Sequence, residues 1–168
     1  MRALIAIALA IFLALVLAII VVEVGAHYGN NRSGYEKPLN QYFGTALVKI
    51  SSGNTTYFGS VYIAANLSQQ ERGYMNSTSI GNCGNASTYK CVGMLFVFEN
   101  DSVECFWMKN TQMPLRQLWI NNNYTVVYAY NASPYSTSSI CYPGMYVLET
   151  QLDIPVGAKI VYPANGAQ

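Results

Sequence analysis

Tyr42-Phe43-Gly44-Thr45-Ala46-Leu47-Val48-Lys49-Ile50, then Ser51-Ser52-Gly53-Asn54-Thr55-Thr56, then Tyr57-Phe58-Gly59-Ser60-Val61-Tyr62-Ile63-Ala64 is the stretch that decides the fold class. Its first and third segments are rich in β-branched and aromatic side chains, which suit a pleated, half-buried surface. The middle segment sets Gly53-Asn54 among hydroxyl residues, the composition of a tight turn. Two strand-forming runs around a short turn read as a β-hairpin.

Downstream, residues 92–98, 105–108, 118–120, 125–130, 146–149 and 159–161 are further short apolar runs with turn residues between them. That pattern predicts a mainly β domain, a sandwich or squat barrel. One short helix interrupts it. Ser68, followed three residues later by Glu71, forms a capping-box pattern that predicts a helix over residues 69–75. Residues 27–41 hold Gly, Asn, Ser and Pro38 without a hydrophobic period and read as a linker. The β domain then occupies residues 42–163, enough chain for one core, and residues 164–168 form a tail.

Upstream lies an unbroken apolar run over residues 3–22. At about 1.5 Å per residue it matches the roughly 30 Å hydrocarbon core of a bilayer, where backbone polar groups are satisfied only within a helix or a closed barrel. Residues 1–26 are therefore expected to be a transmembrane signal anchor that contacts lipid through residues 3–22. Arg2 precedes the run and Glu23 is the first charge after it, which favours an external C-terminal domain at the plasma membrane. Val24, Gly25 and Ala26 also fit the positions that a signal peptidase reads. Cleavage after Ala26 would secrete the rest.

Asn-x-Ser/Thr triplets occur at Asn31, Asn54, Asn66, Asn76, Asn85, Asn100, Asn123 and Asn131. About two are expected by chance from the Asn and Ser/Thr content, and all eight follow the apolar run, which points to N-glycosylation outside the cell. Cys83, Cys91, Cys105 and Cys141 make an even count that fits two disulfides in an oxidising compartment, with three pairings open. They lack the spacing and companion histidines of a zinc site. Only 10% of the residues are charged and the net charge is +1, so there is no electrostatic footprint for nucleic acid. Polarity comes instead from Asn, Ser, Thr and 14 Tyr, a surface suited to glycans or to self-association and surface-layer partners.

Four ordered motifs are more specific: Glu71-Arg72-Gly73-Tyr74-Met75; Gly93-Met94-Leu95-Phe96-Val97-Phe98; Phe106-Trp107-Met108-Lys109-Asn110-Thr111 with Met113-Pro114-Leu115; and Tyr146-Val147-Leu148-Glu149. Together they resemble the domain-of-unknown-function 192 family over residues 57–162. The resemblance implies a compact β-sandwich-like domain with one short helix, often exported or membrane-anchored, and no known reaction. After Pro114-Leu115 the family pattern usually has an aspartate where this chain has Arg116. Family order and proximity favour pairing Cys83 with Cys91, across the insertion 76–92, and Cys105 with Cys141.

The only histidine, His27, lies in the linker, so a Ser-His-Asp or Cys-His set has no base within the β domain, and no catalytic residue or cofactor is expected. Arg72, Lys109, Asn110 and Glu149 stand out as polar residues within apolar motifs, beside Trp107. One reading is an internal network in which Arg72 or Lys109 meets Glu149 and Asn110 holds a turn. The other is a ligand cleft lined by Trp107, with Lys109, Asn110, Arg72 and Glu149 as polar contacts. Strand alternation over residues 106–110 would put Phe106, Met108 and Asn110 on one face and Trp107 with Lys109 on the other. The functional expectation is a membrane-tethered, glycosylated extracellular binding or accessory domain. The alternatives are a pilin-like filament subunit and, less favoured, an enzyme using Lys109, Arg72 and a carboxylate.

Overall fold

A computed structural model of the chain describes residues 38–83 and 89–163. The membrane helix expected over residues 1–26, His27, the sequons at Asn31 and Asn85, and the tail lie outside the described residues. Among the described residues no helix is long and apolar enough to cross a membrane.

A short 3-10 turn, Leu39–Gln41, leads into β1 (Gly44–Ser52) and β2 (Thr55–Ala64). These form the expected hairpin, with antiparallel register from Gly44↔Ile63 to Ser52↔Thr55. The turn is tighter than the sequence suggests. Only Gly53 and Asn54 lie outside the ladder, and Gly53 takes the left-handed conformation (φ 55°) that glycine adopts without steric cost.

Helix α1 (Leu67–Arg72) follows, and here the sequence reading needs correction. The cap is Asn66, not Ser68, and the helix ends at Arg72, short of the expected Met75. Asn66 Oδ1 accepts from the Gln69 backbone N–H (3.0 Å), and Gln69 Oε1 accepts in turn from the Ala65 N–H (3.0 Å). An Asn/Gln pair two residues upstream thus does what Ser68 and Glu71 were expected to do.

The remaining strands are β3 (Cys91–Phe106), β4 (Leu115–Ile120), β5 (Val126–Ala132), β6 (Ile140–Thr150) and β7 (Lys159–Val161). They join β1 and β2 in one seven-stranded sheet of order β5-β4-β6-β3-β2-β1-β7. The sheet curls into a half-barrel, and its edges touch where Thr125 bridges Lys159. Lys159 Nζ reinforces that seam by donating to Asn123 O (3.0 Å) and Thr125 Oγ1 (2.7 Å). Of the two architectures expected, the barrel-like one is found and the two-sheet sandwich is not. The β2–β3 pair is parallel, which requires a long crossover, and α1 with the cysteine-containing insertion supplies it.

The central strands of the sheet are buried on both faces. The inside of the curl is filled from all seven strands, by Val48, Val61, Leu95, Leu118, Val126, Leu148 and Ile160 among others. The outer face of the central strands carries Tyr62, Met94, Phe96, Trp119 and Val147, covered by Phe43, Tyr74 and Met108 from the connecting segments. Successive residues therefore go to opposite cores, which is why residues 92–98 and 118–120 read as continuous apolar runs. Gly93 lets β3 and β6 approach closely: a Cβ there would lie 2.1 Å from the Glu149 carbonyl oxygen. Disulfides join Cys83 to Cys91 and Cys105 to Cys141, as the family order favours.

Candidate functional site

Glu149 is the residue around which the site is built. On β6 it shares the outer-face row with Val147, and it faces Gln117 of β4 on one side and Met94 of β3 on the other. A carboxylate in mid-sheet under a second layer is almost wholly removed from water, and Glu149 is only 4% exposed. Gln117 Nε2 donates to its Oε1 at 3.0 Å. Burial opposes the charged form more than that one hydrogen bond supports it, so the carboxyl is pushed up to about 7. Tyr74 packs in the same layer, and burial, helped by the nearby Glu149 charge, raises its phenol well above the usual value.

Phe106 ends β3, and the chain then turns over this region. Met108 goes into the outer core while Trp107, 45% exposed, stays on the surface. Lys109 is exposed too, and its ammonium lies 5.1 Å from the Trp107 ring centroid, a cation–π contact. The alternation expected for residues 106–109 thus holds, but Asn110 is exposed and breaks it. Asn110 takes a left-handed conformation (φ 56°) in a turn closed by the Thr111 N–H on Met108 O (3.1 Å), and its own carbonyl accepts from the Asn76 N–H (2.7 Å). It holds the loop, the role expected for it in the internal network.

Arg72, at the end of α1, lays its guanidinium 3.6 Å from the centroid of the Tyr42 ring. A small cleft of about 30 Å³, the room of one water or one small polar group, is lined by Arg72, Tyr74, Phe106, Trp107, Lys109 and Glu149. The structure therefore brings together Arg72, Trp107, Lys109 and Glu149, while Asn110 supports from the loop behind. The partner it gives Glu149 is Gln117, and that of Lys109 is the Trp107 ring, so the expected Lys109–Glu149 pair is not formed.

Gln117 and Tyr74 were missed. An amide inside Leu115-Arg116-Gln117-Leu118-Trp119-Ile120 is a polar group that a buried strand must satisfy, and that was the legible signal. Arg116 donates through Nε to Ile154 O (3.1 Å) and through Nη1 to Asn131 Oδ1 (2.8 Å). Among the described residues no group of three His, Cys, Asp or Glu side chains could hold a metal ion. The six described sequon asparagines, Asn54, Asn66, Asn76, Asn100, Asn123 and Asn131, are all exposed.

The family model that matches the chain, over residues 48–158, is DUF192, described as "Uncharacterized ACR". Among solved structures, a protein described as a candidate transcription regulator from Sinorhizobium meliloti 1021 is 28% identical with a TM-score of 0.60, over 71% of this chain and 94% of that one. A protein of unknown function from Novosphingobium aromaticivorans is 24% identical with a TM-score of 0.60, over 70% and 85% of the two chains. No curated protein gives a significant match.

Proposed function

This chain belongs to the DUF192 family, and on that footing we propose that it is a membrane-tethered, N-glycosylated extracellular binding or accessory domain. The observation that carries the binding reading is the Trp107–Lys109 pair, displayed at the mouth of a cleft whose wall is the buried Glu149. A large aromatic left half in water beside a cation, above a carboxyl that burial keeps near neutrality, offers stacking, positive charge and a hydrogen-bonding group together. Among the described residues no metal-holding cluster accompanies them, and stacking, charge and hydrogen bonding are what a binding role uses.

Three features support the external location: the apolar run over residues 3–22, the two disulfides, and the exposure of every described sequon asparagine. The Sinorhizobium neighbour is described as a regulator, but a net charge of +1 on a sparsely charged chain gives no nucleic-acid footprint here. Protease shaving of intact cells tests the location. The β domain is expected to be released from the cell surface while residues 1–26 stay with the membrane. Complete protection of the domain in intact cells, with digestion only after lysis, would overturn the reading. For the binding role, Trp107→Ala is expected to weaken retention on cell-envelope material at least tenfold with unchanged folding; unchanged retention removes that site.

A further inference from the structure

Arg116 lies in the wall of a groove distinct from the Trp107 cleft. This groove, of about 510 Å³, is open along one side and is lined by Pro114, Arg116, Asn131, Pro134, Leu152 and Asp153, among others. Its volume falls in the range of small-molecule sites and suits about one or two sugar rings. Prolines and Leu152 give its lining apolar surface of the kind that the C–H face of a pyranose can pack against. Arg116 and Asp153 give it donors and an acceptor for hydroxyls, and the Asp153 side chain is 93% exposed.

Asn131 is both part of this wall and the acceptor residue of an Asn-Ala-Ser sequon. Arg116 and Asn131 are directly opposite in the β4–β5 ladder. Because a guanidinium only donates, the Asn131 atom it meets at 2.8 Å is the amide oxygen. Arg116 is itself held by the Ile154 carbonyl and lies 3.4 Å from an Asp153 carboxylate oxygen. The Asn131 amide is thus fixed by its oxygen, with the nitrogen, the atom that N-glycosylation substitutes, on the side away from the guanidinium.

We propose that this groove seats the first sugar of a glycan carried by Asn131 itself, a neutral hexose or N-acetylhexosamine. The proposal rests on the glycosylation reading above and goes beyond it: the Asn131 glycan is a built part of the domain, whereas the glycan on Asn54, at the hairpin turn, is solvent coat. It also gives the groove a purpose in the sheet. Strand β5 is an edge strand, Val-Val-Tyr-Ala-Tyr-Asn-Ala, with neither charge nor proline to discourage pairing with another chain. A sugar fixed at its end supplies that protection.

The test uses the full chain from a host that glycosylates such sequons, with occupancy at Asn131 and Asn54 read by peptide mass spectrometry. Ser133→Ala removes the Asn131 sequon and leaves the Arg116–Asn131 bond in place; because Ser133 also lines the groove, its effect is read as the excess over the same substitution in unglycosylated chain, and Asn54→Gln removes the control site. With both sites occupied in the parent, Ser133→Ala is expected to lower the unfolding temperature by about 3 to 6 °C and Asn54→Gln by less than about 1 °C. Equal small shifts would overturn the seating while leaving glycosylation in place. An unmodified Asn131 beside an occupied Asn54 would overturn it for a different reason, that no sugar is there to seat. Should Ser133→Ala fail to fold, native-state treatment of the parent with an amidase that releases N-glycans decides. A seated Asn131 glycan resists release until the protein is unfolded, and release as fast as that from Asn54 refutes the proposal.

Discussion

Replacing Glu149 with glutamine preserves the shape of the buried side chain and an oxygen for Gln117 Nε2 to donate to, while removing the ability to ionise. In the folded protein the Glu149 carboxyl is raised to about 7 by burial, against an ordinary 4.5. An acid whose folded value is raised gives the fold a contribution that is full below about 4.5 and is lost as the pH rises through about 7. At about 1.4 kcal/mol per tenfold difference, the separation between those values amounts to about 3 kcal/mol between acid and alkaline limits. Histidine, the side chain that ordinarily titrates near neutrality, is represented only by His27, which precedes the β domain. Denaturant unfolding under non-reducing conditions at pH 4.5, 7 and 8.5 should therefore show the parent losing about 3 kcal/mol across the series, with Glu149→Gln nearly flat. At pH 8.5 the variant should be the more stable of the two. A parent that is equally stable at pH 4.5 and 8.5, or a variant that keeps the parent's slope, would refute the assignment of Glu149 as a buried, ionisable floor.

Gly93→Ala places a methyl group 2.1 Å from the Glu149 carbonyl oxygen, so β3 and β6 must part; a loss of at least about 3 kcal/mol is expected in denaturant unfolding, and a loss below about 1 would show that the sheet yields there. The Cys105–Cys141 bridge closes a separation of 36 residues, and Cys105→Ser with Cys141→Ser should cost about 3 to 4 kcal/mol by the chain-entropy estimate; an unchanged midpoint would contradict it. Lys109→Ala should cost under about 1 kcal/mol, since the ammonium rests on an exposed indole. A loss of 3 kcal/mol or more, of the order of about 3 to 5 expected when a buried pair is broken, would mean that Lys109 meets Glu149 after all.

The β character was legible because strand composition is local: the hairpin around Gly53-Asn54 is found with its turn merely tightened. What the sequence concealed follows from the central strands' being covered on both faces. Runs such as residues 92–98 feed two cores alternately and show no polar face, so neither curl nor strand order can be read from them. The cap was misplaced because Asn66/Gln69 and Ser68/Glu71 are both competent pairs, and only tertiary context selects one: Gln69 also donates to Tyr42 O at 2.9 Å. The grouping of Arg72, Trp107, Lys109 and Glu149 around one cleft was legible, since polar residues inside apolar motifs demand an explanation. The pairing within it was not. That depended on Gln117 arriving opposite Glu149 from another strand, a register that no local pattern encodes.

The most direct test of the account is site-by-site mass spectrometry of the full chain recovered from its membrane fraction. The expected result is a chain that retains residues 1–26 and carries carbohydrate at several of the six exposed sequon asparagines, with all four cysteines in the Cys83–Cys91 and Cys105–Cys141 bridges. A chain recovered from the soluble cytosolic fraction, with every asparagine unmodified and four free thiols, would contradict it.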